Sequence, residues 1–454
     1  MKITRKRKQF AIFFVDLVII YVSLFFALLL RTGVAPSLAD WWRHALAISP
    51  VIPLWILIFY TMKLYALETP FDDVHFVGRL AVATVMATLV TALLYYLTPQ
   101  SSISPKTVLA LQSGIAFLLL LGWRYLIGKA LRVSAYKQVT AFVGLNAEAR
   151  ALISEIREKP FLGYEVAFAF DPAPDSPPEG LPVITEPASL GAALIASEVD
   201  LVVIADEEHL SVQTVSLLFS LIKRGVRFER LPDFYENLFR RVPIGAITET
   251  WFLDNIDLRA KRPYEIAKRG LDIVISTIIL LLTCAIWPFI ALGIKLSSPG
   301  PVFFKQTRLG RGGQPYTILK FRTMRVEGND LTPTKEKDSR VGAFGAFLRK
   351  SRLDELPQFI NIIKGEMSFI GPRPERPELA AELERAVPFY RQRLLAKPGL
   401  SGWDQVSGEY HSPSVDDTYK KLQYDLYYIK NMSPSLDASI FFKTIATVVL
   451  RLGR

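Results

Sequence analysis

The stretch IVISTIILLLTCAIWPFIALGI, Ile273–Ile294, carries no charged residue, and how it meets a membrane decides the fold. A run of this length is long enough to cross a bilayer as a helix. Its flanks conflict with a simple crossing. Lys261, Arg262, Lys268 and Arg269 precede it, and Lys295, Lys305, Arg308 and Arg311 follow it. Cationic residues gather on the cytoplasmic side, so a crossing would leave one cluster on the wrong face. Pro288, two thirds of the way along, removes a backbone hydrogen bond and clashes with the preceding turn. A helix that enters, kinks at Pro288 and returns to the same face, over about 271–296, satisfies both facts; the alternative is a kinked span.

Upstream, four apolar segments of bilayer length are expected at Phe10–Leu30, Leu46–Leu64, Leu80–Leu97 and Val108–Ile127. They account for a 454-residue chain that is 50% hydrophobic and 12% aromatic, which is unusual for a soluble protein of this size. The N-terminus MKITRKRKQF is basic and leads into an apolar run longer than a signal-peptide core, so it reads as an uncleaved first helix. Lys2, Arg5, Lys6, Arg7 and Lys8 lie before the first segment, and Arg124, Lys129, Arg132 and Lys137 at the exit of the fourth. The third loop, TPQSSISPK, has a single Lys, and the first two loops do not discriminate. The N-terminus and everything after residue 130 are therefore expected in the cytoplasm. Asp16 interrupts the first segment. An intramembrane acid is a functional-site candidate, but near the cytoplasmic face a bundle-facing or interfacial structural role is the expected one.

From Gln138 the pattern changes. QVTAFVGL, GYEVAFAFD and VDLVVIAD read as strands separated by helices, which implies a parallel α/β sheet, and DPAPDSPPEG reads as a Pro-rich surface loop. The dinucleotide fingerprint is absent: Gly144 stands alone, with Asn146 and Ala149 at the other glycine positions. The expectation is a Rossmann-like cytoplasmic module without a pyrophosphate cradle, used for regulation or assembly. The domains expected are a four-helix transmembrane domain over 1–132, this module over 133–260, and a mostly α catalytic domain over 261–454.

The net charge of +11 fits nucleic acid, or anionic lipid with phosphorylated substrates; in a membrane chain the second reading holds and no nucleic acid is expected. The one cysteine, Cys284, excludes an intramolecular disulfide and a cysteine-rich metal site. His44, His75, His209 and His411 show no ligand spacing, so a hard cation held by carboxylates is the better expectation.

Three C-terminal stretches carry chemistry: LKFRTM (Leu319–Met324), LRKSRLDELPQFINIIKGEMSFIGPRPE (Leu348–Glu375) and KPGLSGWDQVSG (Lys397–Gly408). Asp354 and Glu355 are adjacent, and neighbours on a helix diverge by about 100°. They do not make a glycosidase pair, whose members face each other across a sugar. An adjacent pair can divide labour, one carboxylate attacking or binding a divalent cation and the other orienting it or moving a proton. Arg349 and Arg352 just before them favour ionised carboxylates at neutral pH. Gly371–Pro374 is a tight loop whose Arg373 suits bidentate contact with phosphate. Arg352 is read as a surface cation, Trp403 as either core or interface, and Pro299–Pro301 as the turn ending the embedded helix.

The segment from about Arg262 onward resembles the bacterial sugar transferase family, the monotopic phosphoglycosyl transferases. The matching residues are Lys268, Arg269 and Asp272, Pro288, PGPVFFKQTRLG (Pro299–Gly310), KFRTM, the LDEL around Asp354-Glu355, MSFIGPRPE and KPGLSGWDQV. With the spans and the α/β module ahead of it, the chain resembles the large members, bacterial inner-membrane enzymes that prime capsule, O-antigen or exopolysaccharide synthesis. The resemblance implies transfer of a hexose-1-phosphate from a UDP-hexose to undecaprenyl (polyprenyl) phosphate, with release of UMP, by a ping-pong route. Asp354 would be the nucleophile and a Mg²⁺ ligand, Glu355 its helper, and Lys320, Arg349 and Arg373 the basic substrate-binding positions. A homodimer is compatible with this organisation. The competing readings are a membrane-bound nucleotide-sugar dehydratase or epimerase, for which Tyr264 and Lys268 offer a Tyr-x-x-x-Lys pair, and a non-catalytic scaffold. The sugar is left open.

Overall fold

The computed structural model describes residues 5–62, 64–65, 71, 74–97, 106–132, 137–174, 176–206, 210–325, 340–407 and 414–449. Residues 98–105 of the loop TPQSSISPK, His209, His411 and Gly408 lie outside the described residues. The chain forms two compact units, Met1–Phe239 and Arg240–Arg454.

The first unit opens with helices α1 (Arg5–Thr32), α2 (Leu38–Ile48), α3 (Ile52–Thr61), α4 (Val74–Leu97) and α5 (Lys106–Arg132). Among the described residues, five helical segments are long and apolar enough to cross a membrane: Phe10–Thr32, Leu38–Tyr60, Phe76–Tyr96, Thr107–Lys129 and Arg262–Ser297. The second begins eight residues before the expected Leu46, because Ser37 caps α2 by accepting the Asp40 amide. Pro50 and Pro53 then put a 3₁₀ turn, Ser49–Val51, between α2 and α3. Hydroxyls in these helices fold back onto their own turns, Thr84 onto Leu80 O and Ser113 onto Leu109 O, which satisfies them in apolar surroundings. Trp55 Nε1 ties α3 to Thr91 of α4 at 2.7 Å. Asp16 faces the bundle interior, paired with Arg124 at 2.5 Å, both side chains fully buried. Arg124, counted in the sequence among the cations at the exit of the fourth segment, is therefore the buried partner of Asp16.

The rest of this unit is a parallel sheet of β1 (Gln138–Val143), β2 (Tyr164–Phe170), β3 (Val183–Ile184), β4 (Leu201–Ile204) and β5 (Arg227–Arg230), in the order β3-β2-β1-β4-β5. Helices α6 (Ala147–Glu158), α7 (Pro187–Ala196) and α8 (Val212–Leu221) connect strands, and α9 (Leu231–Phe239) follows β5. Gly144 ends β1 at φ +91, and a Cβ there would meet Asp206 at 2.9 Å. Asn146 caps α6 through the Ala149 amide, and the Asp171 carboxylate accepts the Leu145 amide at 2.9 Å. The turn where a pyrophosphate cradle would lie thus carries an acid of the protein's own.

The second unit contains α10 (Glu249–Asn255), α11 (Arg262–Thr283), α12 (Trp287–Ser297), the antiparallel hairpin β6 (Phe303–Leu309)–β7 (Pro315–Phe321), α13 (Ala343–Lys350) and α14 (Gln358–Lys364). β8 (Ser368–Ile370), α15 (Pro377–Ala386), β9 (Gly399–Ser401), α16 (Val415–Asn431) and α17 (Pro434–Val449) follow, with β8 and β9 parallel. Residues 240–260, grouped in the sequence with the α/β module, place Val242, Ile244, Ile247 and Trp251 in this unit's core. The break in the long apolar segment is a 3₁₀ turn, Cys284–Ile286, with Pro288 in the first turn of α12. Ile279 and Leu280 before the break and Ile290 and Ile294 after it belong to one apolar cluster with Ile318, Phe321 and Leu348. Arg322 donates to the Ser298 and Pro299 carbonyls, so Pro299–Pro301 is the turn that follows α12. Trp403 is core: it is buried, stacks on Tyr427 and donates to Arg240 O.

Candidate active site

Asp354 and Glu355 sit in a 3₁₀ turn, Leu353–Glu355, between α13 and α14. The turn replaces the helix on which they were placed from sequence; Arg352, at φ +58, breaks α13 just before them. Leu353, Leu356 and Phe359 anchor the turn in the apolar cluster, and both acids are buried, at 8% and 9% exposure.

Three cations converge on Glu355. Lys320 Nζ lies 3.0 Å from Oε1, Arg373 Nη2 3.4 Å from the same oxygen, and Arg352 Nη1 3.7 Å from Oε2. Lys320 comes from the end of β7, and its register is set by Asn361 of α14, a buried residue that accepts the Leu319 amide and donates to Thr317 O. Arg373 comes from the loop after β8. That loop is tight because Gly371 and Gly399 lie back to back, and a Cβ on either would run into the other strand's backbone. Arg349 Nε donates to Thr323 Oγ1 at 2.8 Å and stands near enough to Asp354 to act on its charge. The site thus brings together Asp354, Glu355, Lys320, Arg349 and Arg373, while Pro288 belongs to the membrane segment. Arg352, read as a surface cation, is half exposed yet reaches Glu355; its i,i+3 spacing was the available signal.

The two acids differ. Burial pushes the Asp354 carboxyl up, Glu355 pushes it further, and it rests at about 6 despite Lys320, Arg349 and Arg352. The neighbouring cations do not return Asp354 to the ordinary carboxylate range, because desolvation outweighs them, yet at about 6 it is still mostly ionised at neutral pH. For Glu355 burial also raises the pKa, but Lys320, Arg373 and Arg352 outweigh it and hold the carboxyl far below the ordinary range. A carboxyl held that low stays ionised near neutrality, where it orients the cations around it. Burial pulls the Lys320 ammonium down, against the attraction of Glu355. Asp354 Oδ1 is buried with no hydrogen-bond partner. An orphaned carboxylate oxygen beside a nest of cations can attack an electrophilic phosphorus or hold a cation that also binds phosphate.

Among the described residues no group of three His, Cys, Asp or Glu side chains forms a metal site. Mg²⁺ is commonly held by one or two carboxylates together with substrate phosphates, and the orphaned Asp354 Oδ1 fits that donor set.

The family-like motif Lys268, Arg269 and Asp272 is structural. Lys268 pairs with Asp437 at 2.5 Å, Arg269 donates to the Ile362 and Ile363 carbonyls that close α14, and Asp272 accepts the Phe369 amide of β8. These bonds fasten α11 to α17, α14 and β8. Tyr264 also donates to Asp437, at 2.6 Å, so both members of the Tyr-x-x-x-Lys pair are committed to one carboxylate.

A family model described as bacterial sugar transferase matches residues 263–451, and one described as CoA-binding domain matches residues 72–224. A UDP-N-acetylgalactosamine-undecaprenyl-phosphate N-acetylgalactosaminephosphotransferase of Aeromonas hydrophila is 44% identical over 192 residues, 42% of this chain and 45% of that protein. The chain thus spans about half the length of that relative. A UDP-glucose:undecaprenyl-phosphate glucose-1-phosphate transferase of Escherichia coli K12 is 33% identical over 68% of this chain and 67% of its own length. One of the same description from Xanthomonas campestris pv. campestris is 33% identical over 69% of this chain and 66% of its own.

Proposed function

Because the chain belongs to the bacterial sugar transferase family, we propose that it transfers a hexose-1-phosphate from a UDP-sugar to undecaprenyl phosphate, releasing UMP. The observation that carries this reading is the asymmetry of the acid pair: Glu355 is saturated by cations, whereas Asp354 keeps a buried oxygen without a partner. In the first step an Asp354 oxygen attacks the phosphorus next to the sugar, the bond to the bridging diphosphate oxygen breaks, and UMP leaves. In the second, a phosphate oxygen of the lipid attacks the same phosphorus and restores the Asp354 carboxylate. Glu355 holds Lys320, Arg373 and Arg352 where the diphosphate charge develops, and Arg349 supports the same surface. Mg²⁺, held by Asp354 and the substrate phosphates, would supply charge neutralisation. A covalent intermediate suits a membrane surface, since the water-soluble and lipid substrates need never be bound together.

The setting follows the same reading. On this reading the chain has four N-terminal spans, its α/β module and catalytic segment lie on the cytoplasmic face of the inner membrane, and the helix broken at 284–286 re-enters and returns. The shared apolar cluster of its two arms supports the return. A homodimer is part of the proposal: Val212, Val215 and Phe219 are exposed along α8, a helix without a charged residue, and Ile222 is exposed just past its end. A monomeric mass in nanodiscs would remove that element. The relatives' names divide between glucose and N-acetylgalactosamine, which supports a UDP-hexose or UDP-N-acetylhexosamine and leaves glucose, galactose and N-acetylhexosamine to the assay. The test is incubation of nanodisc-embedded protein with undecaprenyl phosphate and a panel of UDP-sugars. UMP is expected with one of them; UDP would mean plain glycosyl transfer, and unchanged turnover in Asp354→Asn would point to a different nucleophile.

A further inference from the structure

The Gly371–Pro374 loop is gripped at three successive carbonyls. Gly399 N donates to Pro372 O at 2.9 Å, Arg308 Nη1 donates to Pro374 O at 3.2 Å, and between them Arg393 Nη2 donates to Arg373 O at 2.9 Å. Arg373 is the residue whose guanidinium reaches Glu355. The Arg393 side chain is 8% exposed, and its fork is spent in three directions. Nε and Nη2 meet Asp425 Oδ2 at 3.0 and 2.8 Å, Nη1 donates to Tyr390 Oη at 2.8 Å, and Nη2 reaches the loop. Asp425 lies in the middle of α16 and is itself buried, so the tether runs from the core of the unit to the backbone of a site residue.

A buried ion pair is weak evidence for stability, because desolvation offsets the attraction. What it does supply is direction: a planar guanidinium fixed at three corners presents its remaining N–H along one line. The loop needs that line, because a cavity lined by Leu309, Pro372, Arg373, Tyr390, Arg393 and Pro398 lies beside it and leaves room for it to shift. We propose that Arg393, held by Asp425, is a positioning residue for phosphosugar transfer: it fixes the Arg373 carbonyl and thereby aims the Arg373 guanidinium at Glu355 and the diphosphate. Neither Arg393 nor Asp425 touches substrate, and the inference rests on the transfer reaction proposed above.

Arg393→Lys keeps the charge beside Asp425 and loses the arm to the loop. Its melting temperature in nanodiscs is expected to stay within a few degrees of the parent. Its kcat for UMP release is expected to fall about 100-fold, the order of loss for a misplaced catalytic contact, with KM for the UDP-sugar little changed. The deciding measurement is a cycle with Arg373→Gln. If Arg393 acts through Arg373, Arg393→Lys costs little more once Arg373 is gone. The same 100-fold cost in both backgrounds, or an undiminished kcat in the single variant, overturns the inference and leaves the transfer reaction standing. If Arg393→Lys does not fold, Asp425→Asn, which keeps volume and removes only the charge, is read through the same cycle. Absence of UMP from the unsubstituted enzyme with every UDP-sugar overturns the transfer reaction and the inference with it.

Discussion

Replacing Glu355 by Gln removes a negative charge beside Asp354 and leaves Lys320, Arg373 and Arg352 without their shared acceptor. Asp354 rests at about 6 against an ordinary 3.8, a displacement of about 2 pH units. At 1.36 kcal/mol per unit this is about 3 kcal/mol against the ionised form. Burial is the largest part and persists in the variant; the repulsion by Glu355 is the second and disappears. The freed cations then act on Asp354 alone, and a unit charge about 6 Å away at an effective dielectric constant of 20 contributes about 3 kcal/mol. The Asp354 pKa is therefore expected to drop by about 1–2 pH units. The sign for activity follows from the nucleophile being the ionised form. The rate is present above the pKa and lost as pH falls through it. In the parent, kcat/KM for UMP release should decline below about pH 6. In Glu355→Gln the plateau should be lower, because Lys320 and Arg373 lose their anchor, yet the decline should begin at a lower pH. The assay is UMP release from a UDP-sugar at limiting substrate across the acid range in nanodiscs. An acid limb that stays in place or moves upward would refute the division of labour between the two carboxylates.

Chelation with EDTA should stop UMP release and added Mg²⁺ should restore it; full activity in the chelator would remove the metal from Asp354. Gly399→Ala drives a Cβ into the backbone of Gly371 and is expected to destabilise the β8–β9 junction by about 1–3 kcal/mol or more, read as a lower denaturation midpoint with loss of activity. Unchanged stability would mean that the loop is not closed as described. Asp16→Asn leaves Arg124 buried without its counter-charge and should cost about 3–5 kcal/mol, while Asp16→Leu with Arg124→Leu should recover much of it. Equal melting temperatures for the single and double variants would contradict an interhelical staple.

The elements that were legible in the sequence are those set by local chemistry. Apolar runs gave the long helices, and alternating apolar strands and amphipathic helices gave the parallel sheet. Pro288 announced a break that the chain makes a few residues earlier, at 284–286, because a proline is tolerated in the first turn of the helix that follows. Long-range pairing was not legible. Arg124 read as a flanking cation because its partner Asp16 is 108 residues away. Arg352 read as solvated because the left-handed turn that swings it towards Glu355 has no glycine to announce it. Arg393 drew no notice for the same reason: its meaning lies in Asp425, 32 residues on, and in a carbonyl 20 residues back. The site residues Lys320, Asp354, Glu355 and Arg373 stood out as motifs, but their opposed pKa values depend on burial, which a motif does not state.

The central claim is that Asp354 carries the phosphosugar between the two substrates. It is tested most directly by mixing the enzyme with UDP-sugar labelled in the sugar and no lipid, quenching in acid, and mapping the label by mass spectrometry. The expected result is one equivalent of UMP per active site and a hexose-phosphate adduct on the peptide bearing Asp354, absent from Asp354→Asn and discharged by undecaprenyl phosphate. UMP that forms only when lipid is present, with no adduct on that peptide, would contradict it.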